Sequence, residues 1–289
     1  MGDAPLYVKL LMYVFVAVYM VSVMLETTSG ELTTMLQDRR KMGRGLLANL
    51  VIVPILGFIL VRLLNLAPDI RIGIMMLAVS PGGLFALQFA RISKGDRVFA
   101  VALVIVLTIL AILITPLLAD WLFPRTDAEG RPFIRIVLLF LLLVAAPLLA
   151  GRALQRLFPG VAPKLGRWLG LLSILIFIAA ALLSGRFKTP AIKALDVHGI
   201  AAIVALTVLC WAVGWMLGGP EIRNRKVLAI STAMRNFGIC VPVALYYFPG
   251  TEVIAPIMAF SGISIPMNMV FALVTGKMLR DPPGSAGSS

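Results

Sequence analysis

Nine stretches of about twenty predominantly apolar residues follow one another along the chain. Each is long enough to cross a bilayer as a helix. They cover residues 6–25, 45–64, 70–92, 98–123, 133–151, 165–185, 200–217, 227–248 and 253–279. The connections are short, so neighbouring helices pack antiparallel and no soluble domain fits between them. The pattern predicts an all-α, polytopic transmembrane helix bundle forming one domain over residues 1–289.

Two spans carry helix breakers near their middles. The third reads MMLAVSPGGLFALQF. Pro81 removes a backbone donor and clashes with the preceding turn, and Gly82 and Gly83 permit non-helical dihedrals. The eighth reads STAMRNFGICVP, with Arg235, Asn236, Gly238 and Pro242 close together. Backbone freed inside a bilayer must line a cavity or be buried in protein. Broken helices at corresponding positions of two halves point to a transporter site.

Composition sharpens this picture. Of 289 residues 60% are hydrophobic and 13% charged, about half the charged share of a soluble domain. Mean hydropathy is +1.00. The net charge of +13 reads as basic membrane loops rather than as a nucleic-acid surface. Sixteen Lys and Arg residues fall on one set of loops and nine on the other. The richer side is expected in the cytoplasm, with the N-terminus outside and the C-terminus inside. The compact loops suit a bacterial inner membrane. The first apolar run lacks a basic leader and a cleavage site, so it is expected to stay as a helix.

The chemistry available in the spans is limited. One histidine, His198, and two isolated cysteines, Cys210 and Cys240, make no metal cluster, disulfide framework or catalytic set. Phosphate-binding glycine loops are absent. No enzyme activity, resident cofactor or nucleic-acid partner is expected. All 13 acidic residues lie at span ends or in loops. One basic residue, Arg235, lies well inside a span. Placing an arginine there costs about 2.5–3.5 kcal/mol on insertion scales, which implies a role. Pairing with an anionic substrate is one candidate, bracing carbonyls where the two breaks cross is another, and snorkelling to an interface is a third. Polar side chains near the breaks are Ser80 and Gln88, then Ser231, Thr232 and Asn236, with Asn49 on span two and Ser264 and Asn268 on span nine. Each is an ordinary helix–helix hydrogen bonder; together with Arg235 they form a candidate substrate-binding set. Tyr246 and Tyr247 read as interface anchors.

At the breaks the sequence resembles the bile acid:sodium symporter family. Ser80-Pro81-Gly82-Gly83 followed by Lys94-Gly95-Asp96 is similar to that family's PGG…(K/R)GD signature. Thr108, Thr115-Pro116 and the stretch LLNLAP at 63–68 continue the match, and Met234-x-Asn236 falls where the family has ExGxQN. The resemblance covers residues 20–119 and 228–279, with only helix pattern between. It implies two inverted repeats, here of four and five helices because the first helix is missing. It implies a panel (6–25, 133–151, 165–185) packed on a core (45–123 and 200–279), with spans three and eight crossing.

The family's sodium ligands are not carried over. Its Ser-Asn pair after PGG is Ala86-Leu87 here. Its Ser and Thr on the next helix are Ala100 and Val104. Its acidic residue and glutamine in ExGxQN are Ser231 and Arg235, and Asn49 stands for a glutamine ahead of Pro54. Sodium favours an oxygen cage with negative charge nearby. Like charges 4 Å apart repel by about 4 kcal/mol at an effective dielectric of 20, so a sodium ion beside Arg235 is disfavoured. The expectation is a secondary transporter of an organic anion, a carboxylate or bile-acid-like molecule. It works by alternating access without sodium, with Arg235 replacing the bound cation. The alternatives are sodium coupling through altered ligands such as Asn49, Thr232 and backbone carbonyls, or a transport-inactive sensor or scaffold. The sequence does not fix the oligomeric state.

Overall fold

The computed structural model describes residues 6–27, 37–83, 85–122, 145–173, 195–248 and 251–278, with isolated positions between them. Among these residues there is helix and no strand. Just over half of span five and the end of span six lie outside the described residues.

The first span is α1, Leu6–Glu26. The second begins earlier than the apolar pattern suggests. Helix α2, Arg39–Leu47, is capped by Asp38, whose side chain accepts from the Lys41 N–H. It passes through a π-helical turn, Ala48–Ile52, into α3, Val53–Leu63. Span three is two half-helices, α4 (Pro68–Ala78) and α5 (Ala86–Ile92). Pro68 opens α4, where its missing N–H costs nothing. Span four is α6, Arg97–Leu122. Helix α7, Ala146–Leu157, follows, then a helical stretch at 162–173. Helix α8, Val197–Leu217, is capped by Asp196. Span eight is again two half-helices, α9 (Ile222–Ala233) and α10 (Phe237–Tyr247). Helix α11, Ile254–Met278, contains Pro266 without ending there. Residues 39–63, 97–115, 197–217 and 254–278 are each long and apolar enough to cross a membrane unbroken.

The half-helices sit at the centre. Ile74, Met76 and Leu77 of α4, Leu103 and Leu107 of α6 and Phe260 of α11 are fully buried in one core cluster. Gly214 of α8 lies against the backbone of Ala229, with no room for a Cβ, so α8 and α9 pack backbone to backbone. The outer faces of α3, α6, α8 and α11 expose Ile55, Phe58, Leu113, Val208, Val270 and Leu273, the surface a lipid-facing bundle requires. Tyr247 departs from the interface-anchor expectation. It is buried in the core cluster, because α10 runs inside the bundle.

Helix α1 forms a separate pairing with α7. Gly151 of α7 sits close to Val21 O and Met24. Ser22 Oγ donates to Gly166 O at 2.8 Å, and Gln155 Nε2 donates to Thr27 O at 2.8 Å.

Candidate functional site

The first break spans Val79 to Phe85. Pro81 has no N–H to return to Leu77 O, four residues back. Gly82 takes φ +82°, a left-handed conformation that glycine adopts freely. The freed carbonyls find other donors. Thr115 Oγ1 donates to Val79 O at 3.4 Å and Thr108 Oγ1 to Gly82 O at 3.1 Å. Both threonines are on α6, which therefore lines the break.

The second break is Met234 to Asn236. The two breaks lie side by side through a reciprocal backbone pair. Gly83 N donates to Met234 O at 2.8 Å, and Asn236 N donates to Ser80 O at 2.9 Å. Asn236 fastens the crossing with its side chain as well. Its Oδ1 caps α10 by accepting from Ile239 N at 3.2 Å, and its Nδ2 donates to Gly82 O at 3.2 Å. Ser80 Oγ donates to Asn236 O at 3.2 Å. The cap restarts the helix at Phe237, so Gly238 lies inside α10 and is not a break residue as expected.

Arg235 lies between the breaks with no exposed surface. Its Nε donates to Leu77 O at 3.0 Å. Its Nη1 donates to Asn49 Oδ1 at 3.0 Å and to Thr232 O at 3.3 Å. Its Nη2 donates to Ala78 O at 2.7 Å and to Asn49 O at 3.4 Å. A guanidinium has five N–H groups, so each has an oxygen and none is spare. Leu77 and Ala78 end α4, and Thr232 is near the end of α9. A positive charge is favoured where helix C-termini converge. The arrangement has the chemistry of a cation cage built wholly of oxygen.

Two prolines make this cage. Pro81 denies Leu77 O its donor four residues on, and that oxygen accepts instead from Ser80 N at 3.1 Å and from Arg235 Nε. In the π-helical turn Val53 N bonds to Ala48 O, and the next nitrogen belongs to Pro54. Asn49 O is thus freed in the same way and turns to Arg235. Asn49 is held in place by its own Nδ2, which donates to Gly45 O at 3.0 Å and Thr232 Oγ1 at 3.3 Å.

Of the expected site residues, Arg235, Asn236, Thr232, Asn49 and Ser80 come together at the crossing. Ser231 is fully buried next to Thr232, and its hydroxyl has no hydrogen-bond partner among the described residues. Gln88 is elsewhere, half-buried on α5 in a small cleft facing Tyr19 and Glu26 of α1. Ser264 and Asn268 pair with α8: Thr207 Oγ1 donates to Ser264 Oγ at 3.3 Å and Trp211 Nε1 to Asn268 Oδ1 at 2.9 Å. Ala86, Leu87, Ala100 and Val104 are buried in the apolar core. Their side chains offer no oxygen to an ion. The residues missed as participants were Pro54, Leu77 and Ala78. Thr108 and Thr115, seen only as part of a motif, turn out to hold the break.

The KGD turn connects α5 to α6. Lys94 takes φ 55°, Gly95 N donates to Ala90 O at 2.9 Å and Asp96 N to Arg223 O at 3.4 Å. Asp96 Oδ1 caps α6 through Phe99 N at 3.0 Å. A Cβ on Gly95 would meet Val227 Cγ2 at 2.7 Å, so α9 approaches closely here.

Two half-helix pairs whose breaks cross inside a bundle of apolar spans define a membrane transporter of the secondary type. The chain belongs to the sodium bile acid symporter family, whose model matches residues 13–195. It is similar to the "Uncharacterized sodium-dependent transporter YocS" of Bacillus subtilis, at 25% identity over 259 residues, 85% of this chain and 77% of that protein. It is also similar to the "Probable sodium/metabolite cotransporter BASS1, chloroplastic" of rice, at 24% identity over 272 residues, 90% of this chain and 64% of that protein. The Arabidopsis thaliana protein of the same name is 24% identical over 89% of this chain and 63% of its own length. The chain thus spans just under two thirds of the length of these chloroplast relatives. The family match takes in residues 133–185, where motifs had given only helix pattern.

Proposed function

We propose that this chain transports an organic anion by alternating access without sodium, the Arg235 guanidinium standing permanently where a coupling cation would bind. The observation that carries this reading is the five-oxygen cage around Arg235. Unwound carbonyls and half-helix C-termini are what hold a coupling cation in broken-helix transporters. Here those groups are already committed. Arg235 acts through its fixed charge and its hold on the crossing, and the substrate takes its contacts from other groups.

Sodium coupling through altered ligands is the competing reading, favoured by the names of the relatives. Its ligands would be Asn49, Thr232 and the nearby carbonyls, the atoms that Arg235 holds.

The wider architecture fits the same mechanism. Helices α1, α7 and the stretch 162–173 form the proposed panel, and the broken helices with α2, α3, α6, α8 and α11 form the core. The pairing of α1 with α7, and of the half-helices with α6 and α11, supports that division, and the breaks fall at corresponding places of a four-plus-five inverted repeat. The N-terminus faces outward and the C-terminus the cytoplasm of a bacterial cell, as the excess of Lys and Arg on alternate loops favours.

Proteoliposome uptake of labelled carboxylates, with sodium or potassium as the only outside cation, tests the reading. Equal uptake in the two salts is expected. Uptake that requires sodium returns the protein to the symporter mechanism, and no uptake of any anion favours a sensor or scaffold.

A further inference from the structure

The end of α1 carries a second charged centre, away from the crossing. Glu26 Oε2 lies 2.9 Å from Arg91 Nη2 on α5 and 2.9 Å from Arg97 Nη2 on α6. Arg97 Nη2 also donates to Glu26 O at 2.8 Å. The Glu26 side chain is buried, at 7% exposure, whereas Arg91 and Arg97 are half exposed, at 52% and 48%. Glu26 lies at a span end, as expected of the acidic residues, yet its side chain is buried. It packs into a notch left by Gly166 and Gly170.

The ion pairing is uneven. Both guanidinium groups use one carboxylate oxygen, and the other, Oε1, is buried without a partner among the described residues. A carboxylate that both accepts from two arginines and leaves one oxygen bare is not at its best geometry; a free carboxylate can engage them through both oxygens. Two guanidinium groups and one carboxylate also leave a net charge of +1. Unlike Arg235, these arginines have N–H groups left over among the described residues.

The ion pair lines a small cleft between α1 and the α5–α6 pair, together with Tyr19, Ser22, Leu87, Gln88 and Val101. Apolar and hydrogen-bonding walls face each other there. Elsewhere on α1, Phe15 stacks on Phe85, 5.1 Å between centroids, and Phe85 stacks on Phe237 at 5.9 Å. The aromatic stack thus joins α1 to both breaks. Glu26 is tied to the α1–α7 group, while Arg91 and Arg97 flank the KGD turn docked on α9.

We propose that Arg91 and Arg97 are an exchangeable carboxylate site, occupied by Glu26 when empty and by the carboxylate of an amphipathic organic anion when loaded. Loading releases Glu26 and unties α1 from α5 and α6, so binding and opening of this cleft are one event. The proposal rests on the organic-anion reading above, and adds to it a place and a chemical group.

Benzoate is a suitable probe, with benzamide as its uncharged control. Thermal shifts of the purified protein should respond to benzoate and not to benzamide. The apparent affinity should rise several-fold in Glu26→Gln, where the competitor is gone, and the response should vanish in the double variant Arg91→Gln/Arg97→Gln. As a readout independent of affinity, a cysteine at Gln88→Cys should react with a charged maleimide several-fold faster in the Glu26→Gln background. An equal benzoate response in all variants places the anion elsewhere and overturns this site while leaving anion transport standing. A benzoate response in none of them, with unchanged Gln88→Cys labelling, also overturns it; the uptake assay above decides the transport reading separately.

Discussion

Arg235 and Asn49 are joined twice: Nη1 reaches the Asn49 side-chain oxygen at 3.0 Å and Nη2 its backbone oxygen at 3.4 Å. The two residues come from α9–α10 and from the π-helical turn between α2 and α3. Through them the second break is tied to an unbroken helix, and Leu77 and Ala78 bring in the first break.

Removing the Asn49 side chain leaves a buried charge short of a partner. Hydrogen bonds to charged groups are worth about 1.5–3 kcal/mol, so Asn49→Ala should lower stability by about that amount. In a double-mutant cycle with Arg235→Gln, the coupling should be roughly 1–3 kcal/mol. Simple additivity in denaturant or thermal unfolding would show that the pair does not act as a unit.

Pro54→Ala offers a test with an unusual sign. Replacing proline in a helix interior ordinarily stabilises by about 3 kcal/mol. Here the new N–H competes with Arg235 for Asn49 O and relaxes the π-helical turn. The gain should be absent or reversed, and a melting temperature raised by the ordinary amount would sink this role for Pro54.

A methyl group at Gly83 would lie 2.5 Å from Met234 O and 2.8 Å from Arg235 O. Gly83→Ala should therefore push the crossing apart, at about 1–3 kcal/mol for overpacking, and reduce uptake with it. Unchanged stability and transport would mean that the backbones are not held at this distance.

Gly82 O accepts from both Thr108 and Asn236. Thr108→Val should cost about 1 kcal/mol or less, because one donor remains. Asn236→Ala loses that bond and the helix cap together and should cost about 2 kcal/mol. Chemical unfolding of the two variants checks the order; a larger loss in Thr108→Val would reverse the assignment.

The sequence made the breaks visible because proline and glycine act on local backbone, whatever the neighbours. Arg235 stood out because a charge inside an apolar run is conspicuous. The extent of α2–α3 was less visible, since basic residues at its start hide a helix that continues past the apolar stretch. Partners were least visible of all. Ser264 and Asn268 had the right polarity for the crossing, but the face of α11 that carries them meets Thr207 and Trp211 of α8. Glu26 read as an ordinary helix end, because nothing local signals that Gly166 and Gly170 make room to bury it. The missing N–H of Pro54 was legible in principle, but its consequence for Asn49 depends on a π-helical turn that periodicity does not encode.

Thermal unfolding of the purified protein in sodium against potassium tests the fixed-cation account most directly. The wild-type transition should be the same in both salts, and Arg235→Gln should melt lower in both. A ligand that binds the folded state raises stability by mass action. A wild-type melting temperature that climbs and saturates with sodium alone would place a bound cation beside Arg235 and contradict the account.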